Sequence, residues 1–220
     1  MTLKFHDFVE IEYTGRLEDG TAFDTTKPDI AKKNGIFNPK VKYENKIICV
    51  GEHQVLQGLD EDLIGKEINT AYTTKIPAEK AFGKKDIKKI KIVPVQIFKE
   101  NNLQPYPGLQ IDVDGELGVV NSISGGRVIV NFNHILAGKN IFYEYKILKI
   151  VDNLQEKITN YIHHTTQIPK EALNVTTNIN GTTIQLPVSI PEPTLNTIKQ
   201  KLTETTGATN ITFTQKEIAK

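Results

Sequence analysis

A period-two strand running into an Asp-Gly turn constrains this 220-residue chain more than any other feature. Val9, Ile11 and Tyr13 alternate with Glu10, Glu12 and Thr14, the pattern of a strand with one buried face. Asp19-Gly20 follows, and a two-residue type I′ loop needs positive φ at both central positions, which this dipeptide tolerates. If those two residues form the loop, Tyr13, Leu17, Ala22 and Asp24 share one face, and Tyr13 and Asp24 are diagonal neighbours across the hairpin. A carboxylate is thereby placed on an apolar face beside a phenol, where an uncompensated charge is costly. The same parity puts Phe23 on the other face; only a bulge or strong curl of the sheet brings it round.

Beyond a polar loop (residues 27–42), Lys46 to Val50 reads as a second strand. Val55-Leu56 leads into a short helix with Leu59 and Leu63 stacked at i, i+4 and Gly65 closing it. Ile68 to Ile76 alternates as a longer strand that stops at Pro77, ahead of Ala81-Phe82-Gly83. Residues 86–133 carry their own strands: Leu109 to Val113 and Leu117 to Ile123 flank Asp114-Gly115, and Arg127 to Phe132 follows Ser124-Gly125-Gly126. Tyr143 to Val151 is a further strand. From about Asn153 the chain turns Thr- and Asn-rich and reads as a helix (154–164), a hairpin at Asn180-Gly181, a helix (194–206) and a strand (209–215).

Composition excludes several functions. A net charge of +1 without a Lys/Arg run gives no basic patch for phosphates, so no nucleic-acid partner is expected. The sole cysteine, Cys49, has no partner for a disulfide and sits in an apolar run, where it reads as a buried thiol. The N-terminus has no apolar leader and no stretch approaches a membrane span, so a cytoplasmic protein without a membrane partner is expected. The five histidines have no metal-ligand spacing, Ser124-Gly125-Gly126 lacks the spacing and Lys of a phosphate loop, and no acid–base or nucleophilic constellation stands out. No metal or cofactor is expected.

The run Tyr13-Thr14-Gly15-Arg16-Leu17-Glu18-Asp19-Gly20-Thr21-Ala22-Phe23-Asp24 resembles the first hairpin of FK506-binding-protein (FKBP) prolyl isomerases. Gly51 to Glu61 resembles that family's passage from strand to helix, Ala81-Phe82-Gly83 its next pocket loop and Ile141 to Ile150 its closing strand. Asn133-His134-Ile135-Leu136-Ala137-Gly138-Lys139-Asn140 resembles the return from the inserted chaperone domain of SlyD-type members, as do Pro94 to Phe98, Pro107 to Ile111 and Gly118 to Val120 within that insert. With its C-terminal extension the chain is similar to the long archaeal-type members. The resemblance implies an α+β fold: an FKBP-like antiparallel sheet wrapped on a short helix (1–85 and 134–152), an inserted β-rich domain (86–133), and a C-terminal α/β domain (153–220) that matches no family.

It further implies peptidyl-prolyl cis–trans isomerisation in a pocket of Tyr13, Phe23, Asp24, Val55, Leu56, Leu59, Phe82 and Tyr143. Leu59 stands where the family usually has Trp, Phe82 where it has Tyr, and Tyr143 where it has Phe. In the insert, Val95, Ile97, Phe98, Leu103 and Tyr106 are too many apolar side chains to bury in so small a domain, which points to a groove for unfolded polypeptide with X-Pro bonds. The Thr-rich strand Thr209 to Thr214 offers an edge through which the C-terminal domain could form a homodimer. The alternative reading is a non-enzymatic holdase or scaffold that keeps the fold without turnover.

Overall fold

The computed structural model describes residues 2–113 and 115–215; Met1, Asp114 of the expected Asp114-Gly115 turn, and residues 216–220 lie outside them. The chain divides into two compact units, Pro77–Asn140 and the remainder. In the remainder, β1 (Phe8–Leu17), β2 (Ala22–Thr25), α1 (Pro28–Lys33), β3 (Lys46–Cys49), α2 (Gln57–Leu63) and β4 (Ala71–Ile76) come first. The second unit holds β5 (Ile90–Pro94), α3 (Val95–Glu100), β6 (Gln110–Val113), β7 (Glu116–Ser124) and β8 (Arg127–Asn131). The chain then continues through β9 (Ile141–Ile150), α4 (Leu154–Thr166), β10 (Asn174–Asn178), β11 (Gly181–Leu186), α5 (Glu192–Thr206) and β12 (Ile211–Gln215).

The larger unit is built on an antiparallel sheet in the order β2-β1-β9-β4, with β3 pairing the other half of β1. Alternation along β9 sends Ile141, Tyr143, Tyr145 and Ile147 inward, and their partners on β1 are Leu17, Gly15, Tyr13 and Ile11. Helix α2 lies on that concave face. Its Gly58 touches Ile76 of β4, and its Asp62 accepts a 2.6 Å hydrogen bond from Tyr145. The α+β fold expected from the sequence, a sheet wrapped on a short helix, is the one observed. Two details differ: Pro28 starts a six-residue helix inside the expected loop, and β4 begins only at Ala71 because Asn69 is left-handed at φ 61°.

β3 is buried on both faces. Ile48 and Val50 face the concave core, while Phe8, Ile47 and Cys49 join Ile158, Tyr161, Ile162, Ile184, Ile198 and Leu202 in one apolar cluster. The C-terminal segment therefore shares a core with the back of the sheet instead of standing apart at residue 153. Its strands form a mixed sheet, β10 antiparallel and β12 parallel to β11. Burial of His164 on α4 lowers its pKa to about 4, so the neutral ring donates from Nε2 to the Ile47 carbonyl at 3.0 Å. The same burial pushes the Cys49 thiol up to about 12, which leaves it an unreactive core side chain.

The second unit is a four-stranded antiparallel sheet, β5-β8-β7-β6, around Phe98, Val120, Val128 and Val130. It is longer than the expected 86–133 because its neck residues bond to one another. Gly138 N–H donates to the Gly83 carbonyl at 2.8 Å, and Ala78 N–H to Asn140 Oδ1 at 3.3 Å. Among the described residues no helix is long and apolar enough to cross a membrane.

Candidate active site

The hairpin register explains how one face collects its side chains. Thr14 pairs with Thr25 and Gly15 with Asp24, as a loop at Asp19-Gly20 dictates, but Arg16 pairs with Ala22 and a bulge falls between Gly15 and Arg16. That bulge brings Phe23 and Asp24 to the same side as Tyr13. The Phe23 ring lies against Tyr143 (centroids 6.0 Å, 90°) and Tyr143 against Tyr13 (5.4 Å, 67°), both edge-on as the ring quadrupoles favour. Phe23 also fills the space above Gly15, where a Cβ would stand 2.6 Å from its Cζ. An isolated glycine in a strand signals such a close approach, so Gly15 was a readable but unread part of the site.

The Tyr13 hydroxyl donates to the Asp24 carboxylate, which also accepts the Thr25 N–H. Burial raises the Asp24 pKa above its ordinary value; the Tyr13 hydroxyl, the Thr25 N–H and the Lys46 charge oppose the rise. Lys46 pairs with Ile11 and so projects on the concave side, two residues along β1 from Tyr13. Burial and the neighbouring Asp24 charge push the Tyr13 and Tyr143 phenols well above 10, so both stay protonated donors at any physiological pH. Threonines brace the hairpin: Thr14 and Thr25 share a 2.9 Å hydroxyl contact, and Thr26 receives the Tyr13 N–H at 3.0 Å.

Val55, Leu56 and Leu59, also expected in the pocket from the sequence, lie on α2 and in the loop before it. Leu59 is buried, while Val55 and Leu56 are half-exposed where the helix begins. Leu56 has its carbonyl engaged by Leu59 and Asp60, and its own N–H meets no acceptor among the described residues. The loop is held by Asp60, 1% exposed, whose two oxygens take the N–H groups of Gly51 and His53 at 2.9 Å each. Asp60 escaped the sequence reading because a carboxylate in a helix ordinarily faces water. Tyr13, Phe23, Asp24, Tyr143, Val55, Leu56 and Leu59 all lie in the larger unit, where the first four are in mutual contact. Phe82 belongs to the other unit, where its ring stacks on His134 at 4.6 Å.

The insert residues divide. Phe98 is 4% exposed and packs with Val120, Val128 and Val130, so it is core and not a surface for clients, while Val95 is half-exposed and leans on the same core. Successive residues of α3 point about 100° apart, which turns Ile97 outward as Phe98 turns in. Ile97, Leu103 and Tyr106 are exposed, at 46%, 45% and 58%. A separate groove of the larger unit is lined by Glu12, Thr14, Lys27, Thr73, Glu144 and Lys146 together with Tyr13, Tyr72 and Tyr145, and its Lys27 and Glu12 pair at 2.8 Å.

A half-buried carboxylate–phenol pair beside edge-packed rings, on a sheet wrapped about a short helix, is an arrangement that comparison with known proteins places in a family. The family described as FKBP-type peptidyl-prolyl cis-trans isomerase matches residues 2–99, and that described as FKBP26, IF domain, matches residues 91–136. A short-type peptidyl-prolyl cis-trans isomerase of Methanocaldococcus jannaschii is 31% identical over 145 residues, 66% of this chain and 92% of that protein. The SlyD isomerase of Haemophilus influenzae is 23% identical over 70% of this chain and 76% of its own length. A 16 kDa FKBP-type isomerase of Escherichia coli is 26% identical over 64% and 89%. The chain belongs to the FKBP-type peptidyl-prolyl cis-trans isomerases.

Proposed function

We propose that Tyr13, Phe23, Asp24, Val55, Leu56, Leu59 and Tyr143 form the pocket in which this protein turns X-Pro bonds. The observation that carries the reading is the Tyr13–Asp24 hydrogen bond set inside the Phe23–Tyr143–Tyr13 ring cluster. Amide resonance gives the bond a barrier of roughly 18–20 kcal/mol, and uncatalysed rotation takes tens to hundreds of seconds. The twisted transition state has lost conjugation and is less polar than either planar form, so a dry aromatic and aliphatic wall favours it over the solvated ground state. The Leu56 N–H holds a substrate carbonyl, and Asp24, oriented by Tyr13, turns a fixed negative charge towards the carbonyl carbon as it twists. No nucleophile or proton transfer is needed.

The insert captures unfolded chains. Ile97, Leu103 and Tyr106, together with Ile92 and Leu117 at 63% and 71% exposure, leave more apolar surface in water than one small sheet needs. The edge of the three-stranded C-terminal sheet, β12, supports homodimerisation, which light scattering on the full chain checks. The cell compartment fitting these roles is the cytoplasm. The decisive assay is isomerisation of an unstructured X-Pro tetrapeptide with and without the protein: acceleration supports the reading, and a folded protein without effect leaves the holdase alternative.

A further inference from the structure

The loop that carries Val55 and Leu56 is tied on two sides, and one tie comes from far along the chain. Asp60 of α2 grips it from the pocket side through Gly51 and His53, both in left-handed conformations at φ 91° and 52°. Such a conformation is uncommon for a residue with a Cβ and persists only where its surroundings hold it. On the other side, Glu52 points into the C-terminal segment. Its Oε2 accepts the Tyr161 hydroxyl of α4 at 3.0 Å, and its Oε1 meets Lys201 Nζ of α5 at 3.1 Å and His6 Nε2 at 3.8 Å. The side chain is only 10% exposed, and the Tyr161 ring is fixed in the core shared with Phe8 and Cys49. A carboxylate so enclosed cannot exchange its partners for water without cost, so the loop and the two helices hold a common position.

We infer that Tyr161 and Lys201 are positioning residues for the isomerase: through Glu52 the C-terminal segment sets the Gly51–Leu56 loop, and with it the Leu56 N–H, at the distance a substrate carbonyl needs. This rests on the pocket reading above. A hydrogen bond misplaced by an ångström weakens binding and orientation without unfolding anything, so the signature of the tie is a change in KM larger than any change in stability. It also makes the C-terminal segment, which neither family match reaches beyond residue 136, part of the reaction's machinery.

The test compares Glu52→Gln, Tyr161→Phe and Lys201→Met in the full chain with Lys199→Met, an exposed cation on the same helix, and with Lys201→Arg as the conservative restoration. Tetrapeptide KM and kcat, thermal midpoints and amide NMR shifts of Val55 and Leu56 are recorded for each. The expected result is a KM raised roughly threefold or more by Glu52→Gln and by the Tyr161→Phe/Lys201→Met pair, with kcat little changed and Leu56 shifted. Lys201→Arg should keep the wild-type KM and Lys199→Met should change nothing. Folded variants with wild-type KM and an unmoved Leu56 amide overturn the inference, as does a KM change that tracks the loss of thermal midpoint in every variant. Should the wild-type protein turn over no tetrapeptide, the pocket reading fails instead, and the Leu56 amide still decides whether the tie exists.

Discussion

The ring of Phe23 occupies the space a side chain on Gly15 would need, with its Cζ 2.6 Å from where that Cβ would stand. Gly15 pairs with Tyr143 on β9 and Asp24 on β2, so the glycine sits beneath the proposed recess and Phe23 is seated by it. Overpacking of this kind costs about 1–3 kcal/mol. Gly15→Ala is expected to push Phe23 off Tyr143 and lower tetrapeptide kcat/KM about tenfold, equal to roughly 1.4 kcal/mol of barrier. Normal turnover in a folded Gly15→Ala variant would show that Phe23 does not contact substrate.

The Asp24 carboxyl keeps its proton to a higher pH than an ordinary aspartate, chiefly because it is buried. The charge presented to the twisting amide is lost as pH falls through that raised value, so kcat/KM should be flat at neutral pH and drop on the acid side. Lys46→Met removes one of the groups opposing the shift and should move the acid limb to higher pH. Asp24→Asn should flatten the profile and cost about tenfold or more at pH 7. For stability the sign is reversed. A raised carboxyl pKa penalises the folded state above it and relieves the penalty below, so Asp24→Asn is expected to keep its neutral-pH stability. An acid limb unchanged in Asp24→Asn would assign the titration to another group.

Ile158 is fully buried where α4 meets β3, in the cluster that contains Phe8, Ile47 and Cys49. Ile158→Ala should cost about 2–5 kcal/mol in denaturant unfolding, and the loss should appear in a probe on the β1–β9 sheet as well as in one on α4. A chain ending at residue 152 should expose the back of β3 and aggregate or melt far below the full protein. Two independent unfolding transitions, with only the C-terminal one shifted by Ile158→Ala, would mean that the shared core does not couple the two halves.

Sequence parity carried the Tyr13–Asp24 pair because an Asp-Gly loop leaves little freedom in register, and it stopped at Phe23 because a bulge adds a residue that parity cannot count. Gly15 was the visible clue to that bulge. The run Ile47-Ile48-Cys49-Val50 was a second one: four consecutive apolar residues read as a strand covered on both faces, and α4 is what covers the back. The short helices α1 and α3, six residues each, show no full helical repeat and could not be told from loop. Glu52 acts through Tyr161 and Lys201, partners distant in sequence, a relation that no local pattern encodes.

The insert can be removed where the chain itself closes the gap. Asp86 and Asn133 lie side by side, the Asp86 N–H donating to Asn133 Oδ1 at 2.8 Å and Asn133 Nδ2 to the Asp86 carbonyl at 2.9 Å. Beyond this neck, Ile76 and Ile141 are paired residues on β4 and β9. Replacing residues 87–132 by two glycines therefore asks for no long closure, and the entropy of so short a loop differs little from that of the native turn it imitates. Every proposed wall residue remains, so a tetrapeptide that reaches the pocket by diffusion should be turned over within a few-fold of the wild-type rate. A refolding protein presents its prolines within long segments that must first be caught, and a capture surface on the same chain raises their effective concentration at the pocket by orders of magnitude. Proline-limited refolding and suppression of aggregation should both collapse in the deletion variant while tetrapeptide turnover persists. The substitutions Leu103→Ser and Tyr106→Ser in the intact protein should reproduce part of that loss without disturbing the insert's core, since both side chains are exposed. Refolding catalysis at full strength in the deletion variant would remove the insert, and the apolar surface of Ile97, Leu103 and Tyr106, from any part in holding clients.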